Sequence, residues 1–360
     1  MGDLTAQLAE QVQFAYATKT PLNICAGNTK TGLGRSTGIL AEDDTIDVAA
    51  HAGIISYDPT ELVIRARAGT KLVELQDALS QEQQRLPFEP PNFGGAATIG
   101  GTVAANQSGP SRPWFGGVKD SLLGLGLING YGEDMQFGGQ VMKNVAGFDI
   151  TRLQCGAMGS LGLITDLSIK VLPQFKRSQT LAFETSLASA LENMQQWANL
   201  SLPITGMSYW QGQFYVRLQG TESGVAAAMA QLGGESITDK IADVFWQSVA
   251  STSMFEPNSD QILWRWSGPR DEPISTAISH HADSVMFNWA GAERWFSLPD
   301  TADNREVLPQ VNGMVQYRGG DRLGEVNGDL NVAETALQRR IKCAFDPHGI
   351  FNAGRLYSWM

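Results

Sequence analysis

Residues 97–106 read ATIGGTVAAN, a run of small residues in which two glycines lie between two threonines. Glycine exposes bare backbone because it has no Cβ atom, and the threonines add hydroxyl groups at close range. The run follows LPFEPP at residues 86–91, where paired prolines favour an extended chain. This combination suits contact with a flat, polar-edged ring and its diphosphate better than it suits a hydrophobic core. The alternative is a small-residue packing surface between a strand and a helix.

A second glycine-rich segment, ICAGNTKTGLG at residues 24–34, predicts a strand that runs into a loop. Successive backbone N–H groups in such a loop can turn toward an anion, so the segment predicts a pyrophosphate-binding nest. It is not a P-loop, because no Gly-Lys-Ser/Thr ending follows, and it lacks the Rossmann spacing. An ordinary glycine-rich turn remains the alternative.

A third segment combines GGQVMKNVAGFD at residues 138–149 with GAMGSLGLIT at residues 156–165. Lys143 and Asn144 place two polar groups beside bare backbone, and Lys143 is a candidate to lie near a negatively charged ring edge. A solvated loop lysine is the alternative, and it is the more usual fate of a lysine.

Composition restricts the class of protein. The chain has 360 residues, which favours two domains, and a 42% hydrophobic content that predicts well-packed cores. A net charge of -11 argues against nucleic acid and anionic membranes as direct partners.

The N-terminus lacks a signal-peptide pattern, and no apolar run reaches the ~20 residues of a transmembrane helix. Cys25, Cys155 and Cys343 lie far apart without CxxC spacing, which predicts neither disulfides nor an iron–sulfur site and favours a reducing cytoplasm.

Helix and strand patterns divide the chain near residue 175. Before it, Leu72, Leu75 and Leu79 predict a helix face that Thr70 can cap, and residues 161–165 and 167–172 predict two β elements. After it, glycine thins out, and the pattern predicts helices on an antiparallel sheet. Seven of the nine tryptophans fall within residues 177–330, and core packing is the preferred interpretation for most of them. A final helix is predicted from Leu337, Ile341 and Phe345.

The order of these motifs resembles the FAD-binding domain of the glycolate oxidase and D-lactate dehydrogenase flavoproteins, in the vanillyl-alcohol-oxidase (PCMH-type) superfamily. Between the motifs quoted above stands WFGGVKD at residues 114–120, and FDPHGIFNAGR at residues 345–355 resembles the family's closing Asp-Pro-x-Gly-Ile-x-Asn-Pro-Gly motif. YDPTEL at residues 57–62 and GPSRPW at residues 109–114 are similar to the smaller flavin-fold subunits of bacterial glycolate oxidases in particular.

The resemblance implies an α+β, two-subdomain PCMH-type FAD-binding fold with a small α/β cap. We expect the FAD-binding domain at residues 1–176 and the reduced cap domain at residues 177–330. Residues 331–360 are expected to return to the flavin domain.

The resemblance also implies a site for noncovalent FAD. Covalent relatives often carry a histidine in the first loop, where this chain has Asn28. The cofactor-binding residues implied are Gly27, Asn28, Thr29, Lys30, Thr31, Pro90, Thr98, Gly100, Gly101, Thr102, Asn106, Lys143, Asn144, Ile164 and Asn352.

No catalytic base stands out. Arg112, Arg152 and Arg355 are the candidate clamps for a substrate carboxylate, since a guanidinium offers the bidentate geometry that a carboxylate needs. No metal site is expected, because His280 and His281 form the sole histidine cluster and lack the family's His-x-His setting.

The function that the resemblance implies is that of an FAD-binding subunit in a complex oxidising glycolate to glyoxylate. The implied partners are a larger flavin subunit and an iron–sulfur subunit, and the implied location is the cytoplasm or, through the complex, the periphery of the inner membrane. Two alternatives stay open. One is a non-catalytic assembly subunit that keeps the flavin fold, and the other is a stand-alone FAD-dependent reductase of the same fold.

Overall fold

The computed structural model describes residues 2–37, 44–139, 149–255, 259–273, 278 and 282–360. These residues form two compact units. The first unit consists of Met1–Gln107, Gly117–Pro173 and Asp321–Met360, and the second of Ser108–Gly116 and Gln174–Gly320. The last forty residues therefore belong to the same unit as the first part of the chain. The short segment Ser108–Gly116 belongs to the second unit.

The first unit is built on a five-stranded antiparallel sheet with the order β3-β4-β8-β6-β7. Two short pairs accompany it, of which β1 with β2 is parallel and β5 with β9 is antiparallel. The strands are β1 (Asn23–Cys25), β2 (Thr45–Asp47), β3 (Ile54–Asp58), β4 (Val63–Arg67), β5 (Gln84–Arg85), β6 (Leu122–Ile128), β7 (Asp134–Gly138), β8 (Leu163–Lys170) and β9 (Leu172–Pro173). The helices are α1 (Thr5–Thr18), α2 (Leu72–Gln81), α3 (Ile99–Ala104), α5 (Val118–Ser121), α6 (Ile150–Leu153) and α11 (Val332–Phe345).

Two hydrophobic clusters fix these elements. In one, α2 and α3 bury Leu72, Leu75 and Ile99 against sheet residues that include Ile64. In the other, α1 packs with β2 and with the C-terminal segment around Phe351. The predicted leucine face of α2 is therefore confirmed.

Three local predictions for this unit are wrong. A single strand, β8, replaces the two elements predicted around Asp166, because that buried carboxylate receives a hydrogen bond from Arg65 Nε at 2.7 Å and so does not interrupt the strand. Thr70 does not cap α2, since its hydroxyl donates to the Arg67 carbonyl at 2.7 Å. Leu337 is 55% exposed rather than on the packed face of α11.

The second unit is an eight-stranded antiparallel sheet with helices on it, the type of architecture predicted for the cap. Its order is β13-β10-β12-β11-β15-β16-β14-β17. The strands are β10 (Arg177–Glu184), β11 (Ile204–Trp210), β12 (Gln213–Gly220), β13 (Glu235–Ile237), β14 (Gln261–Ser267), β15 (Ser284–Asn288), β16 (Glu293–Pro299) and β17 (Met314–Arg318). The helices are α4 (Arg112–Phe115), α7 (Leu187–Trp197), α8 (Glu222–Leu232), α9 (Asp239–Ser251) and α10 (Ala302–Val307).

The tryptophans of this unit mainly fill its cores. Trp246, Trp264, Trp266, Trp289 and Trp295 are all buried. Trp246 of α9 packs with Trp295 in one cluster, while Trp264 and Trp266 belong to another. Core packing is therefore confirmed for these five.

Within the described part of the chain, no helix is long and apolar enough to cross a membrane.

Candidate cofactor site

A cavity of about 320 Å³ lies in the first unit. Its walls come from the loop after β1, the start of α3, residues 158–162, β8 and the C-terminal segment, which the fold brings together from distant parts of the chain. The volume falls in the ~300–1,000 Å³ range of small-molecule and cofactor pockets.

Missing side chains shape the wall that α3 contributes. A Cβ atom on Gly100 would lie 2.6 Å from the Ala68 Cβ, so glycine allows this helix to pack directly on the chain after β4. Gly101 has more room, because its Cβ would approach only Thr98 Oγ1 at 3.2 Å and Lys30 Nζ at 3.9 Å. The direction of that missing Cβ is toward Lys30. A side chain at Gly101 would therefore occupy space between α3 and the first loop.

The first loop follows the predicted course out of β1. Asn28 adopts a left-handed backbone conformation with φ 51°, which asparagine tolerates better than most residues. Gly27 is needed for close packing, because its Cβ would lie 1.9 Å from the Ala96 carbonyl oxygen. This contact ties the first loop to the segment that leads into α3.

The C-terminal segment closes the cavity by hydrogen bonds to the backbone. Asn352 accepts from the Ile24 N–H at 2.8 Å and donates through Nδ2 to the Met158 carbonyl at 2.6 Å. Arg355 donates to the carbonyl oxygens of Lys30 and Thr31 at 3.0 and 2.8 Å. One segment near residue 350 thereby fixes two other cavity walls.

The charge of the cavity is opposite to that of the chain. Lys30 and Arg355 line it, and none of the lining residues in the described part of the chain is aspartate, glutamate or histidine. Burial lowers the pKa of the Lys30 amine to about 8 and also lowers the pKa of Arg355, where the nearby Arg322 adds to the effect. A buried cation without a carboxylate gains by binding an anion. The cavity thus has the donor set that a diphosphate requires, and its bare backbone suits a flat ring.

Cys25 is the other titratable group in the cavity wall. Burial raises the pKa of its thiol, and the neighbouring Asp47 raises it further. The thiol is therefore protonated at neutral pH and is a poor nucleophile.

The structure brings together most of the residues predicted for the cofactor. Those that line the cavity are Gly27, Asn28, Thr29, Lys30, Thr31, Thr98, Gly100, Gly101, Ile164, Asn352 and, from the clamp candidates, Arg355. Pro90, Thr102 and Asn106 do not line it. Thr102 is fully buried and its hydroxyl donates to the Thr98 carbonyl at 2.9 Å, while Asn106 is exposed beyond the end of α3. Lys143 and Asn144 lie outside the described residues, as do His280 and His281.

The other two clamp candidates lie elsewhere. Arg112 belongs to the second unit, where its guanidinium lies 4.3 Å from the Trp289 ring centre. Arg152 is exposed on α6 and forms an ion pair with Asp149 at 3.2 Å. No group of three or more potential metal ligands exists among the described residues.

The list of predicted cofactor residues left out about half of the cavity wall. Eight of the omitted lining residues lie within the three segments that the sequence singled out: Ile24, Cys25, Ala26, Ala104, Ala105, Met158, Gly159 and Gly162. The other four lie outside those segments: Asn23, Thr37, Val48 and Ala68. Val48, which directly follows β2, carried no signal, since an apolar residue at a strand end can face a core or a cofactor equally well.

Comparisons with known proteins agree with this geometry. A family model described as an FAD binding domain matches residues 3–138. The chain is 40% identical over 362 residues to the glycolate oxidase subunit GlcE of Escherichia coli, a match that covers 99% of this chain and 98% of that protein. It is 29% identical over 128 residues to the glycolate oxidase subunit GlcD of Bacillus subtilis, covering 36% of this chain and 27% of that one.

The fold also matches a solved structure. p-Cresol methylhydroxylase aligns with a TM-score of 0.73 and 14% identity, covering 99% of this chain and 87% of that one. At this identity the match bears on the fold alone, and it confirms the predicted PCMH-type architecture. The near end-to-end similarity to GlcE and the matched FAD binding domain show that the chain belongs to the GlcE family of FAD-binding glycolate oxidase subunits.

Proposed function

We propose that this chain is the FAD-binding subunit of a complex that oxidises glycolate, and related 2-hydroxy acids, to 2-oxo acids. The observation that carries the proposal is the cationic, backbone-rich cavity, since it lies in a chain that is similar to GlcE over almost its whole length. FAD supplies the hydride-accepting chemistry of such an oxidation, and the protein supplies binding and orientation.

The proposed roles of the residues follow from their places in the cavity. The first loop, Gly27–Thr31, would hold the diphosphate, while Thr98, Gly100 and Gly101 of the α3 wall would lie along the flavin. Ile164 would contact the adenosine end, and Asn352 would hold the walls together through its two backbone hydrogen bonds. Pro90, Thr102 and Asn106 remain proposed cofactor residues although they do not line the cavity. Lys143 and Asn144 lie outside the described residues and remain proposed from their sequence motif.

We propose that the cofactor is bound noncovalently. The described lining residues include no histidine, and the one cysteine among them, Cys25, has a raised pKa that keeps its thiol protonated. A protonated, half-buried thiol is a poor candidate for a covalent link to the flavin.

We further propose that the chain turns over substrate only within its complex, with a larger flavin subunit and an iron–sulfur subunit as partners. Two observations support this division of labour. The described cavity wall offers neither a carboxylate nor an imidazole to remove a proton, and the three cysteines are not arranged to hold a cluster. Peripheral attachment of the complex to the inner membrane remains part of the proposal.

The test is dye-linked oxidation of glycolate by this chain alone, by its partner subunits without it, and by the reconstituted complex. We expect turnover only in the complex. Turnover by this chain alone at the rate of the complex would refute the division of labour. Full activity of the partners without this chain would refute its participation altogether.

A second candidate, a non-catalytic assembly subunit, is favoured by the same lack of a base in the described cavity wall. A complex reconstituted with the Gly101→Val variant separates the two functions. If the variant assembles but loses FAD and activity, the flavin of this subunit is needed for turnover. If the complex keeps full activity without that FAD, the chain serves assembly alone.

A further inference from the structure

The first loop contains a cation whose surroundings do not match those of a structural lysine. Lys30 Nζ contacts two neutral groups: the Thr29 hydroxyl at 3.1 Å and the ring of Phe93, whose centre lies 5.2 Å away. No ion pair with a carboxylate is found for this amine among the described residues. Buried lysines that only stabilise a fold normally have such a partner, as Lys342 has in Asp346 at 2.7 Å.

The ring beneath this amine is held in a costly backbone conformation. Phe93 has φ 46°, in the left-handed region that a bulky residue rarely adopts. Strain of this kind persists only where the surrounding structure enforces it, and it concentrates at binding sites. Here it places an aromatic face next to the amine of a lysine that lines the cavity.

We propose that the Lys30 amine is a titratable ligand of the FAD diphosphate, so that in alkaline solution binding of FAD takes up a proton at this side chain. The inference rests on the proposed function and extends it from a set of lining residues to one proton-linked contact. The reaction is a protonation equilibrium: the neutral amine of the free site gains a proton from solvent, and the ammonium then pairs with a phosphate oxygen.

The sign of the pH dependence follows from the direction of the pKa changes. Burial lowers the pKa of the Lys30 amine to about 8 in the free site, and a bound phosphate raises it again because an opposite charge favours the ammonium. Below pH 8 the amine is already charged, so this group contributes to FAD affinity without making it change with pH. Above that pH the free site loses its proton, and affinity falls by up to about tenfold per pH unit.

The other charged and titratable groups around the cavity do not produce a loss of FAD affinity in the same pH range. Arg355, on the C-terminal segment, keeps its charge throughout, since the guanidinium of an arginine stays protonated in proteins. The raised pKa of Cys25 puts its thiolate at higher pH than the Lys30 transition. α3 and the Phe93 turn contribute no charged residue to the described cavity wall.

The experiment measures the dissociation constant of FAD by diluting holoprotein from about pH 6 to about pH 9.5 and following the fluorescence of released FAD. Wild-type protein should give a constant value up to about pH 8 and weaker binding above it. Lys30→Gln should weaken binding at neutral pH by about 10- to 100-fold, as expected for loss of a charge-assisted hydrogen bond, and should flatten the profile. Lys30→Arg should bind at neutral pH and stay flat, because arginine does not titrate in this range.

Two controls isolate the amine. Lys119→Gln changes an exposed lysine of the same unit and should leave affinity and profile unchanged. Cys25→Ser should keep the transition near pH 8. A flat wild-type profile, a transition that survives in Lys30→Arg, or neutral-pH affinity unchanged in Lys30→Gln would each overturn the inference while leaving the proposed function intact. A wild-type protein that binds no FAD under any condition would overturn both.

Discussion

At the scale of single residues, the cavity is defined as much by absent side chains as by present ones. Gly27 and Gly100 are required for packing, since a Cβ on either would collide with Ala96 or Ala68. Gly101 differs from them, because its missing Cβ opens into the cavity beside Lys30 and its φ lies outside the left-handed region. Glycines that are required for packing can therefore be distinguished from Gly101, which leaves room for a ligand.

Gly101→Val should reduce FAD affinity by at least about tenfold, which corresponds to ~1.4 kcal/mol of lost binding free energy. The added side chain fills space between α3 and the first loop. The φ of Gly101 suits a non-glycine residue, and the Thr98 hydroxyl, 3.2 Å from the Cβ position, has to shift only slightly. The FAD content of purified protein and its circular dichroism spectrum are the measurements. Gly32→Val is the matched control, since nothing lies within 4 Å of its Cβ position, and it should keep FAD. Full FAD occupancy in Gly101→Val would contradict the placement of the flavin.

At the scale of elements, the C-terminal segment holds the cavity together. Lys342 on α11 donates to the carbonyl oxygens of Ser160 and Phe351 and to the Asp346 carboxylate, each contact being buried. Asp346 in turn accepts from the backbone N–H groups of Ile350 and Phe351 at 3.0 and 2.9 Å. This buried ion pair thus anchors the turn that leads to the cavity residues of the last segment.

Asp346→Ala should lower the free energy of unfolding by about 3–5 kcal/mol, because it leaves the Lys342 ammonium buried without its carboxylate. Urea denaturation followed by circular dichroism measures the change. Asp77→Ala, at an exposed position of α2, should change stability by less than about 0.5 kcal/mol. Equal stability of the two variants would show that the ion pair does not anchor the segment.

The sequence predicted these elements well where one pattern admitted one physical interpretation. The leucine spacing of α2 is such a case. It failed at Asp166, because the sequence predicted one β element on each side of this residue, whereas the structure has a single strand in which Asp166 pairs with Arg65. It also could not reveal the cation–aromatic pair of Lys30 and Phe93, because the two residues are far apart in the chain and meet only through the fold.

At the scale of the whole molecule, the chain combines an FAD-binding unit with a second unit. The aromatic residues of the second unit mostly pack in its own hydrophobic cores. The sequence pointed to both architectures through the order of its motifs and the change in composition near residue 175. It could not predict that Ser108–Gly116 clusters with the second unit, because the composition of so short a segment does not distinguish it from the residues on either side.

The most direct test of the central claim is the visible absorbance spectrum of the purified chain, taken before and after acid precipitation. The account predicts a flavin spectrum with one FAD per chain, and the yellow colour should pass into the supernatant once the protein has unfolded. Colour that stays with the pellet would contradict noncovalent binding. A colourless chain that takes up no FAD, alone or with its partner subunits, would contradict the claim that the cavity is a flavin site.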